Sequence, residues 1–125
     1  MTDGSIRNRQ LISKVNITTI VKLFVLYFLK EKSCYGNELI DKIEEALQYQ
    51  WRPSPGMMYP LLRSMEESFL IEGFWDEPDK KTKRHYKITD IGIKHYEQLK
   101  LYNRPLLEES LSIINSTIKV IYKNK

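Results

Sequence analysis

One cysteine, two histidines and no long apolar run remove several chemistries from this 125-residue chain at once. The lone thiol, Cys34, excludes an internal disulfide and fits a reducing cytoplasm, which is the expected location. With only His85 and His95 to join it, and those well apart, it makes too thin a ligand set for structural zinc. The most apolar segment, Ile20 to Leu29, carries Lys22 and falls far short of the ~20 residues that a membrane helix needs. Met1 to Gln10 is polar, with no apolar stretch behind it to act as a secretion signal. No Ser-His-Asp or Cys-His set has workable spacing, and the glycines form no phosphate-cradling loop. No catalytic residue, metal ligand or cofactor is assigned, and the chain is not read as an enzyme.

What is present is a modest core and an uneven charge. Hydrophobic residues make up 42% of the chain, enough for one thin domain of the kind that often gains stability by dimerising. The net charge is +4 and the isoelectric point near 9.1, which permits a polyanionic partner without requiring one. The distribution says more. Residues 80–87, KKTKRHYK, hold five basic side chains in eight positions, whereas Glu38, Asp41, Glu44 and Glu45 cluster against a single lysine.

Apolar spacing divides the chain into elements. A short amphipathic helix over 5–15 uses Ile6, Leu11, Ile12 and Val15. Ile17 to Glu31 is apolar almost all round and predicts a central helix. After a break at Ser33-Cys34, a helix over Tyr35 to Gln48 turns Leu39, Ile40, Ile43, Ala46 and Leu47 inward. Gln50 to Pro53 is a connector, and a third helix then carries Met58, Leu61, Leu62, Met65 and Phe69 on one stripe and ends near Ser68. A β-hairpin follows, with Ile71, Phe74 and Trp75 in its first strand, a turn at Glu77 to Lys80, and His85 to Ile88 in its second. Thr89 or Asp90 caps a last helix with two apolar lines: Leu107, Leu111, Ile114, Ile118 and Ile121, and Leu99, Leu106, Ile113 and Val120. Arg104-Pro105 should kink or split that helix. The fold class is mainly α with a small β component. It is a winged helix-turn-helix (17–90) between an N-terminal helix or arm (1–16) and a long C-terminal dimerisation helix (91–125).

The third helix starts oddly, with Pro53, Pro55, Gly56 and Pro60 crowding its front. Ser54 serves as N-cap and Pro55 sits at the first helical position, where its missing N–H costs nothing. Gly56 allows another molecule close to its backbone, and the helix N-terminus favours an anion such as a phosphate. Pro60 predicts a distorted or 3₁₀ first turn. Ser54, Met57, Tyr59, Arg63 and Ser64 lie on or near the outer side. Arg63 can reach a base edge or a phosphate, and Tyr59 a phosphate or a thymine methyl.

Four blocks, YGNEL at 35–39, SPGMMYPLLRSME at 54–66, LIEG at 70–73 and KRHYKITDIG at 83–92, resemble the PadR family of transcriptional regulators in order and spacing. The resemblance implies a short member of the family with a single C-terminal helix. It implies a homodimer on an inverted repeat in double-stranded DNA, acting in the first instance as a repressor. It puts Tyr35, Ser54, Gly56, Met57, Tyr59 and Arg63 at or near DNA, with Lys81, Thr82, Lys83 and Arg84 in the wing. It implies a dimer interface on the C-terminal helix at Leu99, Leu106, Leu107, Leu111, Ile114, Ile118 and Ile121. It also implies a small aromatic or hydrophobic effector, for which Tyr96 and Tyr102 are the candidates. The sequence departs from the family at Met57, where a hydroxyl is common, in the wing at Lys80 to Thr82, and at Phe69, where a glycine is usual. A left-handed residue is therefore not expected at 69. Two other readings stay open: a winged-helix protein–protein module without specific DNA binding, and a dimer whose main role is to bind a small molecule.

Overall fold

The computed structural model describes residues 15–76 and 83–123. Its elements run α1 (Ile17–Glu31), β1 (Cys34–Tyr35), α2 (Gly36–Ala46), α3 (Pro55–Glu67), β2 (Ile71–Trp75), β3 (Arg84–Ile88) and α4 (Asp90–Ile121). The expected helix over 5–15 and the turn at 77–80 lie outside the described residues, apart from Val15. Three helices followed by a hairpin make the winged helix-turn-helix. The wing is not two-stranded, however. Cys34 pairs with Tyr86 and Tyr35 with His85, so β1 joins β3 and the antiparallel order is β1-β3-β2. In the hairpin Ile71 faces Ile88, Gly73 faces Tyr86 and Trp75 faces Arg84. Tyr35 therefore does not open the second helix as expected. It is the N-cap of α2, and its backbone N–H donates to the Glu38 carboxylate (2.8 Å).

The core forms where the apolar stripes meet. Val21, Val25, Leu26 and Leu29 of α1, Leu39, Ile40 and Ile43 of α2, Met58, Leu62 and Met65 of α3, and Ile71 of β2 are all buried. Burying such side chains contributes about 1.5–3 kcal/mol each. α1 is the central helix, but it is not closed on every side: Leu23 and Phe24 pack against the core and stay half-buried, and Tyr27 is exposed.

Neither internal proline breaks its helix. α3 is α-helical from Pro55 to Glu67 despite Pro60, and α4 continues through Pro105 to Ile121. At the first turn of α3 an i−3 bond, Met57 N–H to the Ser54 carbonyl (3.1 Å), stands beside the regular Met58 bond to the same oxygen (2.9 Å). The carbonyls that lose a partner belong to Gly56 and Leu101, both exposed residues. Water can satisfy them, and a helix bends most easily with its solvent side convex.

The exit of α3 reverses the expectation for Phe69. The residue is left-handed (φ 62°). Leu70 N–H bonds the Met65 carbonyl (2.9 Å) and Phe69 N–H the Glu66 carbonyl (3.0 Å). This is a Schellman closure, with Leu70 and Met65 making the apolar contact that accompanies it. The six-to-one bond and the burial of Leu70 impose the conformation even though a Cβ disfavours it by about 1–2 kcal/mol. The α2–α3 connection uses the same device with Gln48 (φ 57°) and Tyr49 (φ 61°).

Thr89, not Asp90, is the N-cap of α4. Its hydroxyl accepts from Gly92 N–H (2.9 Å) and donates toward the Phe69 carbonyl (2.6 Å), while its N–H bonds the Leu70 carbonyl (3.0 Å). Phe69→Gly should raise stability by about 1 kcal/mol, because it relieves the left-handed backbone and sacrifices only a side chain that is 69% exposed. Urea unfolding at constant m-value checks this; a loss of stability would mean that the Phe69 ring is held by contacts stronger than its exposure suggests.

Candidate nucleic-acid interface

The outward side of α3 is built by helical spacing. Gly56, Tyr59, Pro60, Arg63, Ser64 and Glu67 are exposed, at intervals of three and four that place them on one face. Ser54 caps the helix as expected, its Oγ accepting from Met57 N–H (3.2 Å), with Pro55 at the first position. Pro55 has no N–H and Met57 N–H is held by Ser54. The Gly56 N–H is thus left at the helix end with no backbone partner among the described residues. Arg63 forms no salt bridge among the described residues. Met57 departs from the expected outer side: it is half-buried and packs against the core.

The glycines show which close approaches serve the fold. A Cβ on Gly36 would lie 2.6 Å from the Tyr59 ring, and one on Gly73 would lie 2.6 Å from Arg84 Nε. A Cβ on Gly92 would run into the Leu70 carbonyl. At Gly56 the nearest atom is Ser54 Oγ at 3.9 Å. Nothing inside the described fold needs a glycine there.

Tyr59 lies across Gly36, and its hydroxyl donates to Asn37 Oδ1 (3.2 Å), so α2 sets its position. Tyr35 stands at the root of the wing. Its hydroxyl donates to the Asp76 carboxylate, its ring meets His85 edge-on (3.8 Å between centroids), and Lys83 Nζ lies 5.0 Å from its ring centre. His85 Nε2 is 2.9 Å from Asp76 as well. The bond to Asp76, followed by desolvation, raises the Tyr35 phenol above its usual range. Arg84 is engaged inside the chain, 2.7 Å from Glu66. Lys81 and Thr82 lie outside the described residues. Tyr35, Asn37, Tyr59, Trp75 and Lys83 are among the residues around a cleft of about 460 Å³ between α2, α3 and the wing. The acidic cluster on α2 is partly neutralised by Arg52, which is 2.8 Å from both Asp41 and Glu44. Cys34 is fully buried, and desolvation, then Glu38, raises its thiol pKa; it is a packing residue.

The last helix splits the expected interface set. Leu107, Leu111, Ile114, Ile118 and Ile121 are exposed along one line of α4. Leu99 instead packs against the chain's own core, and Leu106 is half-buried. Tyr96 and Tyr102 are not brought together. Tyr96 is buried, its phenol raised by desolvation and then by Glu97. It lines an apolar cleft of about 380 Å³ with Ile20, Leu23, Phe24, Tyr27 and Leu107, whereas Tyr102 stands exposed elsewhere. Sequence reasoning missed the α1 side of this cleft. The signal was there, in a helix too apolar all round for a single core. It also missed Asn37 and Asp76, whose roles depend on partners 22 and 41 residues away.

A family model described as the transcriptional regulator PadR-like family matches residues 25–98. The chain belongs to the PadR-like family. Over 78 residues it is 38% identical to the transcriptional regulator YqjI of Escherichia coli (strain K12), a match covering 62% of this chain and 36% of that protein. The matched stretch thus spans about a third of the length of that curated relative. A transcriptional regulator from Clostridium thermocellum superposes with a TM-score of 0.65 at 22% identity, covering 93% of this chain and 96% of the other. PadR of Bacillus subtilis, solved in complex with operator DNA, superposes with a TM-score of 0.55 at 21% identity over 63% of this chain and 45% of that one. At these identities the structural likeness is one of fold, and the fold of this PadR-like chain is the winged helix. Among its described residues no helix is long and apolar enough to cross a membrane.

The glycine geometry separates two substitutions. Gly56→Ala should leave stability unchanged or raise it by up to about 1 kcal/mol, as expected for an exposed helical glycine. Gly36→Ala should lower it by about 1 kcal/mol by displacing the Tyr59 ring from Asn37. Thermal unfolding of both variants checks the pair, and an unstable Gly56→Ala would give Gly56 a structural role.

Proposed function

We propose that this PadR-like chain is a cytoplasmic, homodimeric, sequence-specific DNA-binding regulator that represses transcription from an inverted repeat. The observation that carries the reading is the outward row of α3. A glycine without internal need, a helix-end N–H and an arginine, neither of which has a partner among the described residues, stand together on one exposed face. A phosphate seated at the Gly56 N–H would be held by the helix dipole, with Tyr59 and Ser54 beside it. Arg63, two turns on, would then face base edges in the major groove. Tyr35 and Lys83 would take flanking phosphates at the wing root, and Lys81 and Thr82 would belong to the wing tip. Residues 17–90 form the reading unit, 91–125 the dimerisation helix, and 1–16 an arm.

The dimer reading is supported by the exposed line from Leu107 to Ile121. Its alternating steps of four and three match the seam of paired helices. Two copies joined there would set their reading heads about 34 Å apart, one turn of the duplex. The cleft around Tyr96 opens on the same side. A small aromatic or hydrophobic effector bound there would favour one angle between the copies, and it could shift DNA affinity only as far as its affinities for the two arrangements differ.

Two substitutions test the assignment, with fluorescence anisotropy on a duplex selected from a random pool by the native chain. Arg63→Ala should lose about 1–3 kcal/mol on that duplex and relax sequence choice; equal loss on scrambled DNA would make Arg63 a phosphate contact. Ile114→Asp should abolish the dimer in sedimentation, because it places a charge in an apolar seam. An intact dimer would remove α4 from the interface.

A further inference from the structure

We propose that Glu66 and Arg84 are a positioning pair that fixes the wing against the reading helix and so governs DNA affinity without touching DNA; this rests on the DNA-binding reading above. Glu66 leaves the half-buried flank of α3, not its outward row. Its Oε2 accepts two bonds, from Arg84 Nη2 on β3 (2.7 Å) and from Gly73 N–H on β2 (3.1 Å). One carboxylate oxygen thus ties α3 to both strands of the hairpin. It is the one ion pair between α3 and the wing among the described residues. The Gly73 N–H points away from β3, along the open edge of the sheet, so the same oxygen also occupies an edge donor.

The pair has its own seat. The guanidinium lies where a Gly73 side chain would be, with Nε 2.6 Å and Nη2 2.7 Å from the position of a Cβ. It stands 5.1 Å from the Trp75 ring and 5.9 Å from the Tyr86 ring. Both partners are less than a third exposed, at 30% and 26%. Solvent screening is reduced there, and the planar fork and stacked face of an arginine are not reproduced by lysine. The covalent link from α3 to β2 is the strained turn at Phe69. The side-chain link adds to the packing of Met65 against Leu70 and Ile71 in the shared core a directional hold on the angle between α3 and the hairpin.

The test exploits a sign. Glu66 is a negative charge in a domain proposed to bind a polyanion. If electrostatics alone mattered, removing it would strengthen DNA binding. Positioning requires the opposite. Glu66→Gln should weaken binding to the selected duplex about tenfold, with the salt slope unchanged. Arg84→Ala and the charge-conserving Arg84→Lys should do the same. Combining Glu66→Gln with Arg84→Ala should lose no more than the worse single change, as for partners in one interaction. The binding-competent fraction, from stoichiometric titration with duplex, and the melting temperature are read alongside, so that loss of folded protein is not counted as loss of affinity. Arg84→Lys is the mildest variant should the others unfold. The proposal is overturned if Glu66→Gln tightens binding while Arg84→Lys retains it and Arg84→Ala lowers the salt slope by about one, the signature of a phosphate contact. It is overturned equally if the three single variants bind within about twofold of the native chain. A native chain that selects no duplex would instead remove the DNA-binding reading beneath it, and the pair's role with it.

Discussion

The structure turns on the carbonyls of Phe69 and Leu70. There the end of α3, the start of the wing and the first turn of α4 meet within one hydrogen-bonded joint. Thr89 makes all of its bonds: its hydroxyl lies within reach of both the Phe69 and Leu70 carbonyls and accepts from Gly92 N–H, and its own N–H donates to Leu70. Gly92 must lack a side chain, because the Leu70 carbonyl occupies the space. A threonine cap normally contributes about 1 kcal/mol to a helix. Here it also fixes where a 32-residue helix leaves the domain. The joint is one of two places where α4 is held to the domain; the other is its packing along α1, with Lys30 3.3 Å from Glu97.

The chain places its conformational costs where water or function can absorb them. The two internal prolines sit so that the freed carbonyls, of Gly56 and Leu101, belong to exposed residues. The left-handed positions fall on Gln48, Tyr49 and Phe69, while no described glycine has a positive φ. Glycine is used instead for close approach: by the Tyr59 ring at Gly36, by the Arg84 guanidinium at Gly73 and by backbone at Gly92. Gly56 alone among the described glycines faces open space, at the front of the helix that presents Tyr59 and Arg63.

Much of this was legible in the sequence because it depends on local rules. Stripe spacing located the helices, serine before proline located the start of α3, and the hairpin followed from a change of period. The β1 strand escaped because two residues carry no period and its partner lies some fifty residues on. Phe69 was misjudged because residue preference argued against a left-handed backbone, whereas the buried Leu70 and its bond to Met65 decided for it. Pro105 looked like a break because sequence cannot say which side of a helix faces water. Arg84 read as a wing charge. Its engagement with Glu66, eighteen positions away, is visible only when the strands are in register. Leu99 was placed with Leu106 by the heptad step, yet the domain's own core claims it.

The most direct measurement is a salt series of anisotropy titrations of the native chain, on its selected duplex and on a scrambled one. The account requires tight binding to the first by a dimer, a preference of at least about a thousandfold, and a steep fall with salt on both. Weak binding that is equal on the two duplexes would contradict it, and would leave a winged helix whose exposed α3 face meets protein and not nucleic acid.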